Sequence, residues 1–164
     1  MNKKNQAIIA ILATLVLVGI SMITAVGTNA TNEMKLNSTM LLASVSTVVI
    51  ISVIIGALIN KLFIWLSQLG QEDQHTVSFL TSWYAGSISA LPMAIVNVFA
   101  ITVLTLYKSG NTSVNIISSI ISAIIYTLIL RKENVITKRT QIIYFVIIVV
   151  LTVAMNVVTK FAFK

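Results

Sequence analysis

Five long runs of the chain carry no charged residue: 7–26, 41–60, 79–106, 114–130 and 141–159. They hold 20, 20, 28, 17 and 19 residues, and short polar pieces separate them. A hydrocarbon core about 30 Å thick is crossed by roughly 17–25 helical residues. Inside it a helix satisfies every backbone N–H and C=O from within its own segment. The pattern predicts an all-α integral membrane protein, one transmembrane domain over residues 1–164 with about five spans. The remaining 60 residues fall in six pieces, the longest about 18, too short for a soluble domain.

Composition agrees. Of 164 residues, 57% are hydrophobic and 9% charged, and the mean hydropathy is +1.00. Soluble domains carry about 25% charged residues. Met1-Asn2-Lys3-Lys4 before the first run resembles the start of a secretory signal, with Thr28-Asn29-Ala30 as a loose cleavage site. A signal's apolar core is usually about 7–15 residues. The first run is longer, so a retained first span is expected. The chain has no cysteine, which excludes disulfides, thiolate nucleophiles and lipoprotein attachment.

The net charge of +7 is read as a topology signal and a contact with anionic lipid headgroups, not as nucleic-acid binding. With the N-terminus in the cytoplasm, the inner pieces hold Lys3, Lys4, Lys61, Arg131, Lys132, Lys138 and Arg139. The outer pieces hold Lys35, Lys108, Lys160 and Lys164. Four bases within residues 131–139 decide the orientation, and five spans then put the C-terminus outside. Trp65, Trp83, Tyr84 and Tyr107 fall near span ends, where amphipathic rings favour the interface. Lys61-Leu62-Phe63-Ile64-Trp65-Leu66 is expected to continue the second helix, with Gly70 stopping it.

Candidate chemistry is sparse. Glu33, Glu72, Asp73, Glu133 and His75 all lie between the runs, and no Asp, Glu, His, Lys or Arg falls inside one. Intramembrane ionisable groups are the usual marks of proton relays and ion paths. There is no Ser–His pair, no intramembrane aspartate pair and no Gly-rich phosphate loop. Glu72, Asp73 and His75 would offer a metal at most three ligands on one short loop and are read as a solvated loop. The expectation is a protein with no cofactor and no catalytic site.

The runs do carry packing signals. Ser78, Ser82, Gly86, Ala90 and Ala94 recur every four residues, placing small side chains on one face of the third span. Ser44, Ser52, Gly56 and Asn60 share a similar register in the second, and Ser118 with Ser122, and Ser119 with Ala123, in the fourth. Lipid tails give helices no hydrophobic reason to associate, so close approach through small residues is the available route. Asn97 and Asn156 are mid-span amides that need partners. Pro92 removes one helix hydrogen bond within the third span, so a kink is expected there. At about 1.5 Å per residue, a 28-residue helix would be about 42 Å long.

Gly56-Ala57-Leu58-Ile59 through Trp65-Leu66, then Gly70, Val77-Ser78-Phe79-Leu80, Trp83-Tyr84-Ala85-Gly86-Ser87 and Leu91-Pro92 together resemble the Yip family of small five-span membrane proteins, in its bacterial branch. The resemblance covers about residues 50–105, with Ala85-Gly86 standing where the family pattern has Gly-Tyr. It implies a non-enzymatic protein that works through partners. Eukaryotic members help organise trafficking membranes, and some bacterial members accompany ABC exporters that protect against antimicrobial peptides.

Two functions follow as expectations. The first is a scaffold or accessory protein of the cell membrane, acting through another membrane protein or a second copy of itself, with the bilayer as its other partner. The alternative is a small-molecule transporter, or a substrate-binding membrane subunit of an ATP-driven transporter. In the latter, Asn97, Asn156, Trp83 and Tyr84 would line a pocket. A midplane polar cavity would favour the transporter, and a bundle packed through would favour the scaffold.

Overall fold

Helix starts are set by side chains that take up otherwise unpaired N–H groups. In the computed structural model, which describes residues 1–28, 37–72, 74–107 and 111–162 without the side chains of Ser38 and 156–162, five such caps recur. The Asn2 amide oxygen accepts from the Lys4 N–H at the head of α1 (Lys3–Gly27). Asn37 accepts from Thr39 N–H before α2 (Ser38–Ser67). Ser78 accepts from Thr81 N–H before α3 (Phe79–Thr102). Asn111 accepts from the Ser113 and Val114 N–H groups before α4 (Thr112–Lys132). Thr137 accepts from Thr140 N–H at the start of α5 (Lys138–Ala162).

Each of the five helices is long and apolar enough to cross a membrane, and no strand occurs among the described residues. The chain is an all-α, multi-pass membrane protein. Its helix α3 packs against α1, α2 and α4, with its most extensive contact on α1. Helix α5 lies against α4 and, more slightly, α2.

One end of the bundle gathers the chain start and the α2–α3 and α4–α5 connections. The Met1 ammonium pairs with Glu133 at 2.6 Å. Gln71 Oε1 accepts from the Thr137 and Thr140 hydroxyls at 3.4 and 3.2 Å. Helix α4 ends there on a hydrogen-bonded reversal: Asn134 takes a left-handed φ of 57°, its N–H bonds Arg131 O, and Val135 N–H bonds Leu130 O. That is the pairing a residue in the left-handed region makes possible at a helix C-terminus. This basic end carries Lys3, Lys4, Lys61, Arg131, Lys132, Lys138 and Arg139. The packed core sits in the same half, around Ala10, Ile64, Val77, Ala85, Tyr126, Leu130 and Tyr144.

Two span boundaries differ from the hydropathy reading. The third helix stops at Thr102, not 106. Thr105 adopts a φ of 49°, and Leu104 N–H and Leu106 N–H turn back onto Phe99 O and Ala100 O. The longest helix is instead α2, with 30 residues, roughly 45 Å at about 1.5 Å per residue. It runs through Trp65 as expected and ends before Gly70, whose φ is +76°. Pro92 lies inside α3, and the helix continues on both sides of it.

Candidate functional site

The central polar groups of the bundle gather around Ser82 and Asn60. The helix of α2 places Asn60 one turn beyond Gly56 and Ala57, on the side that meets α3. Ser82 of α3 is fully buried and its hydroxyl donates to the Ala57 carbonyl at 2.7 Å. With that proton committed, the Tyr126 hydroxyl at 2.9 Å donates to Ser82 Oγ. Tyr144 OH donates to Asn60 Oδ1 at 2.9 Å. The Tyr126 and Tyr144 rings pack with centroids 5.5 Å apart and planes tilted by 34°. Four helices are thus joined through hydroxyls, one amide and one carbonyl, with no charged group taking part.

Two cavities flank this cluster. One, about 280 Å³, is lined by Asn60, Ser89, Ser119, Ser122, Tyr126 and Tyr144, with Ile59, Phe63 and Ile148 as apolar walls. The other, about 310 Å³, lies between α1, α2 and α3, beside Ser21, Ser52, Gly56, Gly86, Ser87 and Ala90. Asn60 borders both, and a Cβ built on Gly86 would stand 3.6 Å from its Nδ2.

A second set of pairs fixes α1 on α3. Thr81 donates to Gln6 Oε1 at 3.1 Å. Thr14 donates to Ala10 O, lies 3.3 Å from Ser87 Oγ and accepts from the Trp83 indole at 3.0 Å. At the basic end, Arg131 donates to Gln141 Oε1 at 3.3 Å, and Arg131, Lys132, Lys138 and Arg139 are all exposed.

The small-residue face of α3 divides along its length. Ser78 caps the helix and lies 2.8 Å from Thr81 Oγ1, and Ser82 sits in the tightest contact of the face. Gly86 and Ala90 line the α1–α2–α3 cavity, and Ala94 borders a smaller one near the far end. The residues grouped as a pocket in the transporter reading fall in separate places. Trp83 faces α1, and its ring packs 6.2 Å from that of Phe79. Tyr84 is part of the packed core. Asn97, near the far end, donates to Ser118 Oγ at 3.3 Å and accepts from Tyr107 OH at 2.9 Å. The side chain of Asn156 lies outside the described residues, as does Asp73 of the Glu72–Asp73–His75 loop and the outer bases Lys35, Lys108, Lys160 and Lys164.

Sequence reasoning placed Asn60 in a small-residue register but not as a hydrogen-bonding centre, and did not single out Tyr126, Tyr144, Gln6, Thr14 or Gln71. The available signal was the position of Asn60 itself. With the second helix continuing past Lys61, that amide is two turns inside it. Comparisons with protein-family models, with curated proteins and with solved structures find no match for this chain.

Proposed function

We propose that this chain is a non-enzymatic cell-membrane protein that acts by binding, as an accessory subunit beside an ATP-driven exporter in protection against membrane-active peptides, in the manner of the Yip-like proteins it resembles. In this reading the basic end faces the cytoplasm and the C-terminus lies outside. One observation carries it: the interior hydrogen bonds join neutral groups to one another, while the basic side chains lie exposed at one end, beside short connections. A polar interior built this way holds helices together, and among the described residues the apolar helix faces and that basic end are the surfaces open to other molecules. Purification in mild detergent, followed by mass spectrometry of the co-eluting proteins, tests the reading. An ATP-driven exporter subunit is expected in stoichiometric amount, and a chain that elutes alone while cells retain peptide protection would overturn it. Replacing Glu72, Asp73 and His75 together by alanine is expected to leave protection intact.

A second reading, a substrate-binding membrane subunit or small transporter, is favoured by one feature: the polar-lined cavity beside Asn60 lies near the middle of the bundle. A bundle packed through would not leave that space.

A further inference from the structure

Fully buried polar side-chain atoms all find partners among the described residues. The incomplete ones face a cavity. Ser122 stands midway along α4, roughly 15 Å from either helix end at about 1.5 Å per residue. It lines the 280 Å³ space and makes no hydrogen bond among the described residues. Asn60 accepts from Tyr144 through Oδ1, but its Nδ2 donates to no described group. The Tyr126 and Tyr144 hydroxyls each give their proton away, to Ser82 and to Asn60, and keep oxygen lone pairs beside the same space. Ser122 and Asn60 are half-buried beside this space, and such groups are placed to take water or a ligand as partner.

We propose that this cavity is a hydrated binding site for a small uncharged molecule bearing hydroxyl or amide groups. Asn60 Nδ2 and Ser122 Oγ would donate to its acceptors, and the two phenol oxygens would accept from its donors. The volume is that of roughly nine waters at about 30 Å³ each, or one solute of similar bulk. Neutrality follows from the lining. No Asp, Glu, His, Lys or Arg borders the space, so an ion entering it would lose its hydration with no countercharge to replace it. The inference deepens the substrate-binding reading given above and rests on it only for the use of the site in the cell.

The absence of cysteine makes a direct test available. Single-cysteine proteins Ser122→Cys, Gln74→Cys on the exposed loop and Leu128→Cys on the exposed face of α4 are reconstituted in lipid vesicles. Each is treated with three methanethiosulfonate reagents of similar size carrying a neutral hydroxyethyl, an anionic sulfonatoethyl or a cationic trimethylammonium-ethyl group. After each rate is normalised to Gln74→Cys, the neutral reagent is expected to label Ser122→Cys at least tenfold faster than either ion. Leu128→Cys is expected to stay unlabelled. Ser122→Cys as inert as Leu128→Cys would mean a dry cavity, and equal labelling by all three reagents would mean an ion-permeable one. Either result overturns the proposal. Neither depends on whether an exporter co-purifies, so failure of the accessory reading and failure of this site are separately visible.

Discussion

At the basic end, Tyr126, Tyr144, Leu130 and Ile64 are almost fully buried, and Gln6, Gln71 and Ser82 bridge between elements. Toward the far end, Val48, Ile51, Ile55, Val103 and Leu106 are about half exposed or more. There the interhelical bonds are fewer, with Asn97 to Ser118 as the clearest. Both halves sit in a solvent as apolar as their side chains, so burial of Leu or Ile against a neighbouring helix gains little over burial in lipid. What differs is the supply of aromatic surface and hydroxyls. The basic half has both and forms the packed core, with an open cleft of about 410 Å³ beside Lys61, Trp65, Gln68 and His75 at its edge, whereas the far half has mainly aliphatic chains. The lesson is that helix association here follows the polar pairs.

The largest effect is expected from the charges that define the basic end. Changing Arg131, Lys132, Lys138 and Arg139 together to Glu removes the strongest topology signal and is expected to invert or block insertion. Reporter fusions after Thr137 and after Lys164 should report opposite sides in the parent, the first cytoplasmic, and this pattern should be lost in the variant. Next comes the core of the same half. Tyr126→Ala is expected to lower stability by about 3–5 kcal/mol, the range for emptying a large aromatic site. Val48→Ala in the far half should stay within about 0.5 kcal/mol. Thermal unfolding in one detergent compares the two, and equal losses would abolish the distinction between the halves.

A smaller effect isolates the polar pair. Ser82→Ala removes the acceptor of Tyr126 OH and the donor to Ala57 O. Membrane double-mutant cycles give about 0.6 kcal/mol on average for such bonds and about 1.7 at most. A cycle of Ser82→Ala with Tyr126→Phe is therefore expected to show coupling of about 1 kcal/mol. Coupling indistinguishable from zero would mean that ring packing alone closes this half.

Hydropathy located all five spans because a charge-free run of about 20 residues has few other places to be. It overran at 103–106 because Val103 through Leu106 are as apolar as the helix before them. The stop is made by a left-handed Thr105 and by Tyr107 folding back onto Asn97, and neither leaves a mark in hydropathy. Asn60 escaped notice for the opposite reason. Lys61 beside it placed the run's boundary there, so an amide two turns inside α2 read as a span edge. Tyr126 and Tyr144 carry no spacing signal at all. Their roles come from contacts across the bundle: Tyr126 of α4 meets Ser82 of α3, 44 positions away, and Tyr144 of α5 meets Asn60 of α2, 84 positions away. Asn97 did read as an amide needing a partner, though Ser118 and Tyr107 could be assigned only from the fold.

The smallest effects distinguish close approach from open space at two glycines. A Cβ on Gly27, the last residue of α1, would lie 2.8 Å from Thr102 Cγ2. Thr102 cannot easily turn away, since its hydroxyl donates to Val98 O at 2.6 Å. A Cβ on Gly86 would meet only Asn60 Nδ2, at the ordinary distance of 3.6 Å. Gly27→Ala is therefore expected to cost about 1 kcal/mol, at the low end of the overpacking range. Gly86→Ala should be neutral or stabilising by up to about 1 kcal/mol, through the helix preference of alanine over glycine. Thr102→Ser removes the Cγ2 methyl and keeps the hydroxyl, so it should recover most of the loss in the Gly27→Ala background while changing Gly86→Ala not at all. Unfolding midpoints of the four proteins decide it. Gly27→Ala tolerated as well as Gly86→Ala would show that α1 and α3 have room to part at the far end, leaving the basic half to hold these two helices together alone.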